Sequence, residues 1–94
     1  MTRVRKVDLN QQQIVAELRA LGYSVQHTHT IGHGFPDIAI GKKSITVLVE
    51  IKRPGEKLTP DEREFFEIWK GAAIVATSAE QVHEQFQRFE RQTA

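Results

Sequence analysis

The chain has 94 residues, a formal net charge of +1, and 39% hydrophobic and 27% charged residues. This size and balance predict one small globular domain and exclude a disordered chain or a bulk polycation. The sequence has no cysteine, which excludes a disulfide framework and a thiolate metal site.

No signal peptide and no apolar run of membrane-spanning length is apparent, so we expect an intracellular, cytoplasmic protein without a membrane partner. Residues 1–8 are polar and basic and are predicted to form a flexible arm. From Asn10 to Leu21 apolar residues recur at helical spacing, and Gly22 is placed to end this helix. Gln11 lies on the inward stripe, which indicates either a frayed helix start or a side chain aimed at a polar site.

Tyr23–Thr30 is predicted to be a strand in which His27 and His29 share one face, and His33 follows in a glycine-containing loop. Imidazoles at positions i and i+2 of a strand admit a zinc site. The alternative, which the pattern favours, is a row of exposed polar positions. The glycines of residues 31–34 either let the backbone approach a phosphate closely or serve the turn alone.

The next two strands form the hairpin on which the functional prediction rests. Asp37–Ile40 and Ile45–Lys52 have strand patterns, and residues 41–44 between them predict a tight turn. Pairing Ile40 with Ile45 places Asp37 opposite Leu48.

Three charged side chains then share one face of the hairpin. Asp37 and Glu50 are diagonal neighbours roughly 7–8 Å apart, and Lys52 lies beside them. Two carboxylates that converge next to an ammonium group can hold a hard divalent cation beside a reacting phosphate. The alternative is that these charges form the solvated face of an ordinary sheet.

The last third of the chain contains two helix starts. Residues 59–62, Thr-Pro-Asp-Glu, predict an N-cap with a capping box and a helix that runs to about Lys70. Residues 72–77 predict a strand covered on both faces, and Ser78 with Gln81 caps a final helix. The predicted order is αβββαβα, an α/β fold with a mixed four-stranded sheet flanked by helices.

This order, with Pro36-Asp37 before the hairpin and Glu50-Ile51-Lys52 at its end, resembles the core of the PD-(D/E)xK nucleases. More narrowly, the chain resembles the small stand-alone VRR-NUC domains of phages and bacteria, which are similar to Holliday junction resolvases. The resemblance spans residues 8–90. It implies a single restriction-endonuclease-like domain over residues 1–94, metal-dependent cleavage of DNA, and a phage or bacterial context.

The resemblance also implies a role for each matching residue. Asp37 and Glu50 would be acidic ligands of Mg²⁺ or Mn²⁺, and the backbone carbonyl of Ile51 would complete the protein's share of the site. Lys52 would lie beside the attacking water and the scissile phosphate. Gln11 stands where related nucleases often carry a Glu on the first helix, and it is the fourth member of the predicted catalytic group.

One motif departs from the family pattern. VRR-NUC proteins commonly show Leu-Ser-Pro-x-Gln after the lysine, whereas this chain has Leu58-Thr59-Pro60-Asp61-Glu62. Glu62 therefore takes the place of the Gln. As a partner in the capping box, Glu62 also has a purely structural explanation.

The predicted partners are DNA and a second copy of the chain. Cleavage of both strands of a duplex or a four-way junction requires two sites, which a homodimer supplies. The alternatives are a non-catalytic nucleic-acid-binding or interaction module and a structural subunit of a larger assembly. Five side chains are candidates for contacts with flanking phosphates: Lys42, Lys43, Arg53, Lys57 and His33.

Overall fold

A computed structural model describes residues 9–93 and contains one four-stranded sheet and three α-helices. The helices are α1 (Leu9–Ala20), α2 (Pro60–Ile68) and α3 (Ala79–Thr93). The strands are β1 (Ser24–His27), β2 (Ile38–Lys42), β3 (Ile45–Ile51) and β4 (Ala73–Ala76). This element order confirms the predicted αβββαβα sequence. The arm predicted for residues 1–8 lies outside the described residues.

The sheet is mixed, as predicted. Its strands lie in the order β1-β2-β3-β4, with antiparallel pairing among the first three and parallel pairing between β3 and β4. The prediction that β4 is covered on both faces is wrong. Val75 is 37% exposed, because β4 is an edge strand and α3 packs on its other face. No helix within residues 9–93 combines the length and apolarity that a membrane span needs.

The core lies between the sheet and the pair α1 and α3. Apolar residues at helical spacing supply the helix side, and alternate strand residues supply the sheet side. Ser78 Oγ accepts the backbone N–H of Gln81 at 3.1 Å, which starts α3 as predicted. The main buried members are Ile14, Leu18, Tyr23, Ile38, Ile40, Val47, Val49, Ile74, Val82 and Phe86.

The strand predicted over Tyr23–Thr30 is too long at its C-terminal end. The chain leaves β1 after His27 and forms one turn of 3₁₀-helix at His29–Ile31. Thr28 explains the change, since its N–H donates to Asp37 O at 2.8 Å and its hydroxyl donates to Pro36 O at 2.7 Å. His29 therefore lies outside the strand, although its ring still lies 5.9 Å from that of His27 between centroids. The zinc site stays a prediction.

Helix α2 is two residues shorter than predicted. It ends at Ile68 instead of Lys70, because Trp69 already has extended backbone angles (φ −73°, ψ 128°). The Trp69 ring stacks on Phe65 at 5.0 Å between centroids, and Phe35 packs edge-on against both rings. This aromatic group lies outside the main core and joins α2 to the loop that leads into β2.

Candidate active site

The β2–β3 turn is two residues shorter than predicted, because β2 continues to Lys42. Lys43 and Ser44 form a two-residue turn, and both have left-handed backbone angles (φ 55° and 67°). Two consecutive residues with positive φ are the geometry of a type I′ hairpin turn, whose twist matches that of the strands. The predicted pairing of Ile40 with Ile45 is therefore wrong, and Ile40 pairs with Val47.

The observed register aligns the two acidic residues directly. The last strand pair at this end of the hairpin is Ile38 with Val49. One step further along the same register, Asp37 lies opposite Glu50 and not opposite Leu48. Directly opposed residues share a face, with Cβ atoms about 4.5–5.5 Å apart, which is closer than the predicted diagonal arrangement.

Pro36 explains why the hairpin opens at this point. The register would place Pro36 opposite Ile51, but a proline has no N–H to donate to the Ile51 carbonyl. The Ile51 N–H instead donates to Asp37 Oδ2 at 2.8 Å. Because the N–H and C=O of one strand residue point to the same side, the Ile51 carbonyl also faces Asp37. The hairpin ladder thus provides no donor for this carbonyl.

Lys52 is a buried lysine surrounded by carboxylates. Its side chain is 7% exposed, and its Nζ lies 2.7 Å from Glu62 Oε1, 3.4 Å from Glu50 Oε2 and 3.7 Å from Glu56 Oε2. The side chain of Glu50 is equally buried, at 4% exposed. The sequence identified Glu62 as a capping residue and as the replacement of the family's Gln, and left open whether Glu62 contributes to the site.

The start of α2 is held at the site by its cap and by a glycine. Thr59 Oγ1 accepts the Glu62 N–H at 3.2 Å, and Glu62 Oε1 accepts the Thr59 N–H at 2.9 Å, as the capping box predicts. Gly34 has φ +79° and packs against the backbone of Asp61 and Glu62, where any Cβ would collide. The loop before β2 therefore sets the position of Glu62 relative to Lys52.

We expect Gly34→Ala to displace the start of α2 and lower the melting temperature. A Cβ at Gly34 would lie 2.8 Å from Glu62 N and closer still to Asp61, and the positive φ adds roughly 1–2 kcal/mol of strain. The single tryptophan, Trp69, reports the displacement through its fluorescence.

Gly55→Ala is the matched control, because Gly55 has a similar φ of +84° and open space around it. It should show the backbone strain alone, with unchanged Trp69 emission. Equal losses of stability in the two variants would contradict a close contact between Gly34 and α2.

Burial raises the pKa of both opposed carboxyls. Burial, the charge of Asp37 and the charge of Glu62 raise the pKa of Glu50 to about 9. Burial also raises the pKa of Asp37, although the hydrogen bond from the Ile51 N–H favours its ionised form. We therefore place the proton on Glu50. Such a pair is unfavourable in the bare protein, and a bound cation would replace the proton.

The other members of the charged cluster stay ionised. Burial alone would lower the pKa of the Lys52 ammonium, but the hydrogen bond to Glu62 and the charges of Glu50, Glu62 and Glu56 raise it. Burial would raise the pKa of Glu62, but the hydrogen bonds from Lys52 and from the Thr59 N–H lower it. Lys52 and Glu62 therefore form a hydrogen-bonded ion pair.

The oxygen donors at this site fit Mg²⁺ or Mn²⁺, provided that water and a substrate phosphate supply the remaining ligands. Asp37 and Glu50 offer carboxylate oxygens, and the Ile51 carbonyl has no hairpin donor. Within residues 9–93 no group of three or more His, Cys, Asp or Glu side chains forms a ready-made metal site. Mg²⁺ is commonly held by one or two carboxylates together with water and substrate phosphate, so three side-chain ligands are not required.

Gln11 lies on the other side of the sheet. It is 7% exposed, and its amide nitrogen lies 3.4 Å from His27 Nδ1. His27 pairs with Ile38 and shares the face on which α1 packs, whereas Glu50 points to the opposite face. The structure does not place Gln11 with the acidic pair, and its membership of the catalytic group stays a prediction.

The predicted phosphate contacts fall in two separate places. Lys42 and Lys43 are at the hairpin tip, about 17 Å along β2 from Asp37. Lys42 Nζ donates to Leu21 O at 2.9 Å, and Lys43 pairs with Glu90 at 2.8 Å. Both lysines therefore already have partners within the chain.

Three predicted contacts lie in loops closer to the acidic pair. Arg53 and Lys57 are exposed and follow Lys52 directly in sequence. His33 is exposed, has a left-handed backbone (φ 56°), and lies four residues before Asp37. Contacts between these side chains and DNA stay predictions.

Comparisons with family models, with curated proteins and with solved structures found no match for this chain.

Proposed function

We propose that this chain is a Mg²⁺- or Mn²⁺-dependent DNA endonuclease of the PD-(D/E)xK type, with a restriction-endonuclease-like core similar to that of VRR-NUC domains. The observation that carries the proposal is the juxtaposition at the open end of the hairpin. Asp37 opposes Glu50, Ile51 turns its carbonyl to the same side, and the buried Lys52 adjoins them. Folding alone does not account for this cluster, because it places buried carboxyls together at a cost in stability.

Each residue has a defined task in the proposed reaction. A bound Mg²⁺ or Mn²⁺ would polarise the scissile phosphate and lower the pKa of the attacking water. Asp37, Glu50 and the Ile51 carbonyl would hold the cation. Lys52 would orient the water and offset the negative charge that develops on the phosphate in the transition state. The burial of Lys52 keeps its ammonium in one position, so the reacting groups are aligned in advance.

The proposed substrate is DNA, and the proposed assembly is a homodimer. One chain carries one acidic pair, so cutting two strands of a duplex or of a four-way junction requires two chains. The exposed Arg53, Lys57 and His33 are the proposed contacts for phosphates that flank the cleaved bond.

The main alternative is a nucleic-acid-binding or interaction module that keeps the nuclease fold without catalysis. Such a module would tolerate loss of either carboxylate. The burial of Glu50 and the hydrogen bond between Asp37 and the Ile51 N–H favour the catalytic proposal, since binding from the surface requires neither.

Cleavage of labelled duplex, flap and four-way-junction DNA with Mg²⁺ or Mn²⁺ tests the proposal. We expect Asp37→Asn to reduce cleavage by at least about 100-fold, because a misplaced cation misaligns the reacting groups. Asp61→Asn, the same change at an exposed position of α2, should keep wild-type activity. Wild-type protein that binds DNA but does not cut it with either metal would replace the nuclease proposal with the binding module.

A further inference from the structure

One oxygen atom of Glu62 joins the buried lysine to the first turn of α2. Glu62 Oε1 lies 2.7 Å from Lys52 Nζ and accepts the Thr59 N–H at 2.9 Å. The capping box and the packing of Gly34 fix the backbone on which Glu62 sits. The position of Glu62 is therefore set by α2 and not by the hairpin.

Glu62 is the contact that determines where the ammonium of Lys52 lies. A lysine has a flexible four-carbon chain, so its Nζ takes its place from its closest partners. Of the three carboxylates around Lys52, Glu62 alone lies within hydrogen-bond distance, while Glu50 and Glu56 are at 3.4 and 3.7 Å.

Glu62 also changes the charge that an approaching phosphate meets. Lys52 has a single positive charge and is surrounded by Glu50, Glu56 and Glu62, with Asp37 opposite Glu50. Even with a proton on Glu50, this cluster is net negative in the absence of a cation. A phosphodiester that the exposed Arg53 and Lys57 bring to this cluster is repelled by its net charge. A divalent cation reduces that negative charge and supplies a positive centre that a phosphate oxygen can coordinate.

We propose that Glu62 is a positioning residue for Lys52 and that its charge keeps DNA out of the site until the divalent cation has bound. This inference rests on the proposed nuclease function. It predicts two separate effects: loss of the Glu62 charge raises the affinity for DNA in the absence of metal, and loss of its oxygen atoms lowers kcat. A residue that only caps α2 would not raise the affinity for DNA when its charge is removed.

Glu62→Gln is the decisive variant, because Gln also serves in a capping box and has the same size as Glu. Glu64→Gln is its matched control, since Glu64 lies on α2, is exposed, and gives the same change in net charge. In EDTA, the anisotropy of a labelled oligonucleotide should show about tenfold tighter binding for Glu62→Gln. Binding of Glu62→Gln no tighter than that of Glu64→Gln would overturn the role of Glu62 in excluding DNA.

The second measurement is kcat at saturating DNA and metal. We expect Glu62→Met to lower kcat by about tenfold or more, because Lys52 loses the oxygen atom that places it. Glu64→Met, the same change at an exposed position of α2, should retain the wild-type kcat. A wild-type kcat in Glu62→Met would overturn the positioning role while leaving the nuclease proposal intact.

Thermal unfolding tests the Glu62–Lys52 pair without any activity. We expect the melting temperatures of Glu62→Met, Lys52→Met and the double variant to be non-additive, since each single change breaks the same contact. Additive shifts would overturn the pairing. If the wild-type protein cuts no DNA, the nuclease proposal fails, whereas oligonucleotide binding and the unfolding cycle still decide the role of Glu62.

Discussion

Glu50→Gln should stabilise the protein at pH 8 and abolish the proposed metal-dependent cleavage of DNA. Glu50 is 3% exposed, and burial, together with the charges of Asp37 and Glu62, raises its pKa to about 9. A neutral amide of the same size avoids the cost of a buried carboxyl. We expect a gain of about 1 kcal/mol or more at pH 8, which for a domain of this size raises Tm by roughly 4–8 °C.

The stability gained by Glu50→Gln should increase as the pH rises. The unfolded chain loses the Glu50 proton near the ordinary pKa of 4.5, whereas the folded chain keeps it up to about pH 9. Unfolding between these values releases a proton, so the wild-type protein loses stability as the pH rises. Glutamine does not titrate. The two proteins should therefore converge in Tm below pH 4.5 and separate progressively toward pH 9.

Addition of Mg²⁺ or Mn²⁺ should make the wild-type protein more stable than Glu50→Gln. A ligand that binds only the folded state stabilises it by about 2.7 kcal/mol at 100 times its Kd. Wild-type Tm should rise with the metal, while Glu50→Gln should not respond. Calorimetric scans at pH 4, 6 and 8, with and without metal, measure both effects. A Glu50→Gln protein that is less stable than wild type at pH 8 would contradict the raised pKa.

Lys52→Met should cause a large loss of stability as well as loss of cleavage. Met preserves most of the volume of Lys52 but leaves the ionised Glu62 without its closest partner at 2.7 Å. Removing one member of a buried ion pair typically costs about 3–5 kcal/mol. We expect about 3 kcal/mol, the lower end of that range, because Glu56 and Glu62 keep some access to water.

The effect of Lys52→Met should fade in acid. Burial would raise the pKa of Glu62, but the hydrogen bond from Lys52 helps to hold that pKa below its ordinary value. A lowered carboxyl pKa contributes stability above pH 4.5 that is lost as the pH falls through the folded-state pKa. The difference between wild type and Lys52→Met should therefore shrink below pH 4.5.

Urea denaturation at pH 8 and pH 3.5 measures the difference between Lys52→Met and the wild type. Lys57→Met is the control, since Lys57 is exposed in the loop that follows, and its effect should stay within about 0.5 kcal/mol. Equal stabilities of Lys52→Met and Lys57→Met would show that the buried cluster does not stabilise the fold.

Glu50→Gln and Lys52→Met both test the excess of buried negative charge at the site, the first by removing an acidic group and the second by removing the lysine that offsets it. Glu50 weakens the fold of the bare protein, and Lys52 offsets part of the negative charge that Asp37, Glu56 and Glu62 bring together. A bound cation would offset more of this charge. This balance is what we expect of a site retained for activity, since a domain of this size gains no stability from opposed buried carboxyls.

The sequence alone determined the order of the elements and the faces of the hairpin strands. Helical spacing of Ile14 and Leu18, strand alternation in residues 45–51, and the Thr59 capping box act over a few residues, so local patterns predict them. The approach of Asp37 to Glu50 followed from the same alternation. The length of the hairpin turn did not, because the predicted turn began at Gly41, whereas β2 continues to Lys42 and only Lys43 and Ser44, two non-glycine residues with positive φ, form the turn.

Only the tertiary structure determined which distant residues meet at this end of the sheet. The pairing of Glu62 with Lys52 depends on Gly34, which lets α2 approach the loop before β2. The position of Gln11 depends on the face of the sheet against which α1 packs. These contacts join residues far apart in the chain, and they are decided by packing and by the burial of charge, which leave no periodic trace in the sequence.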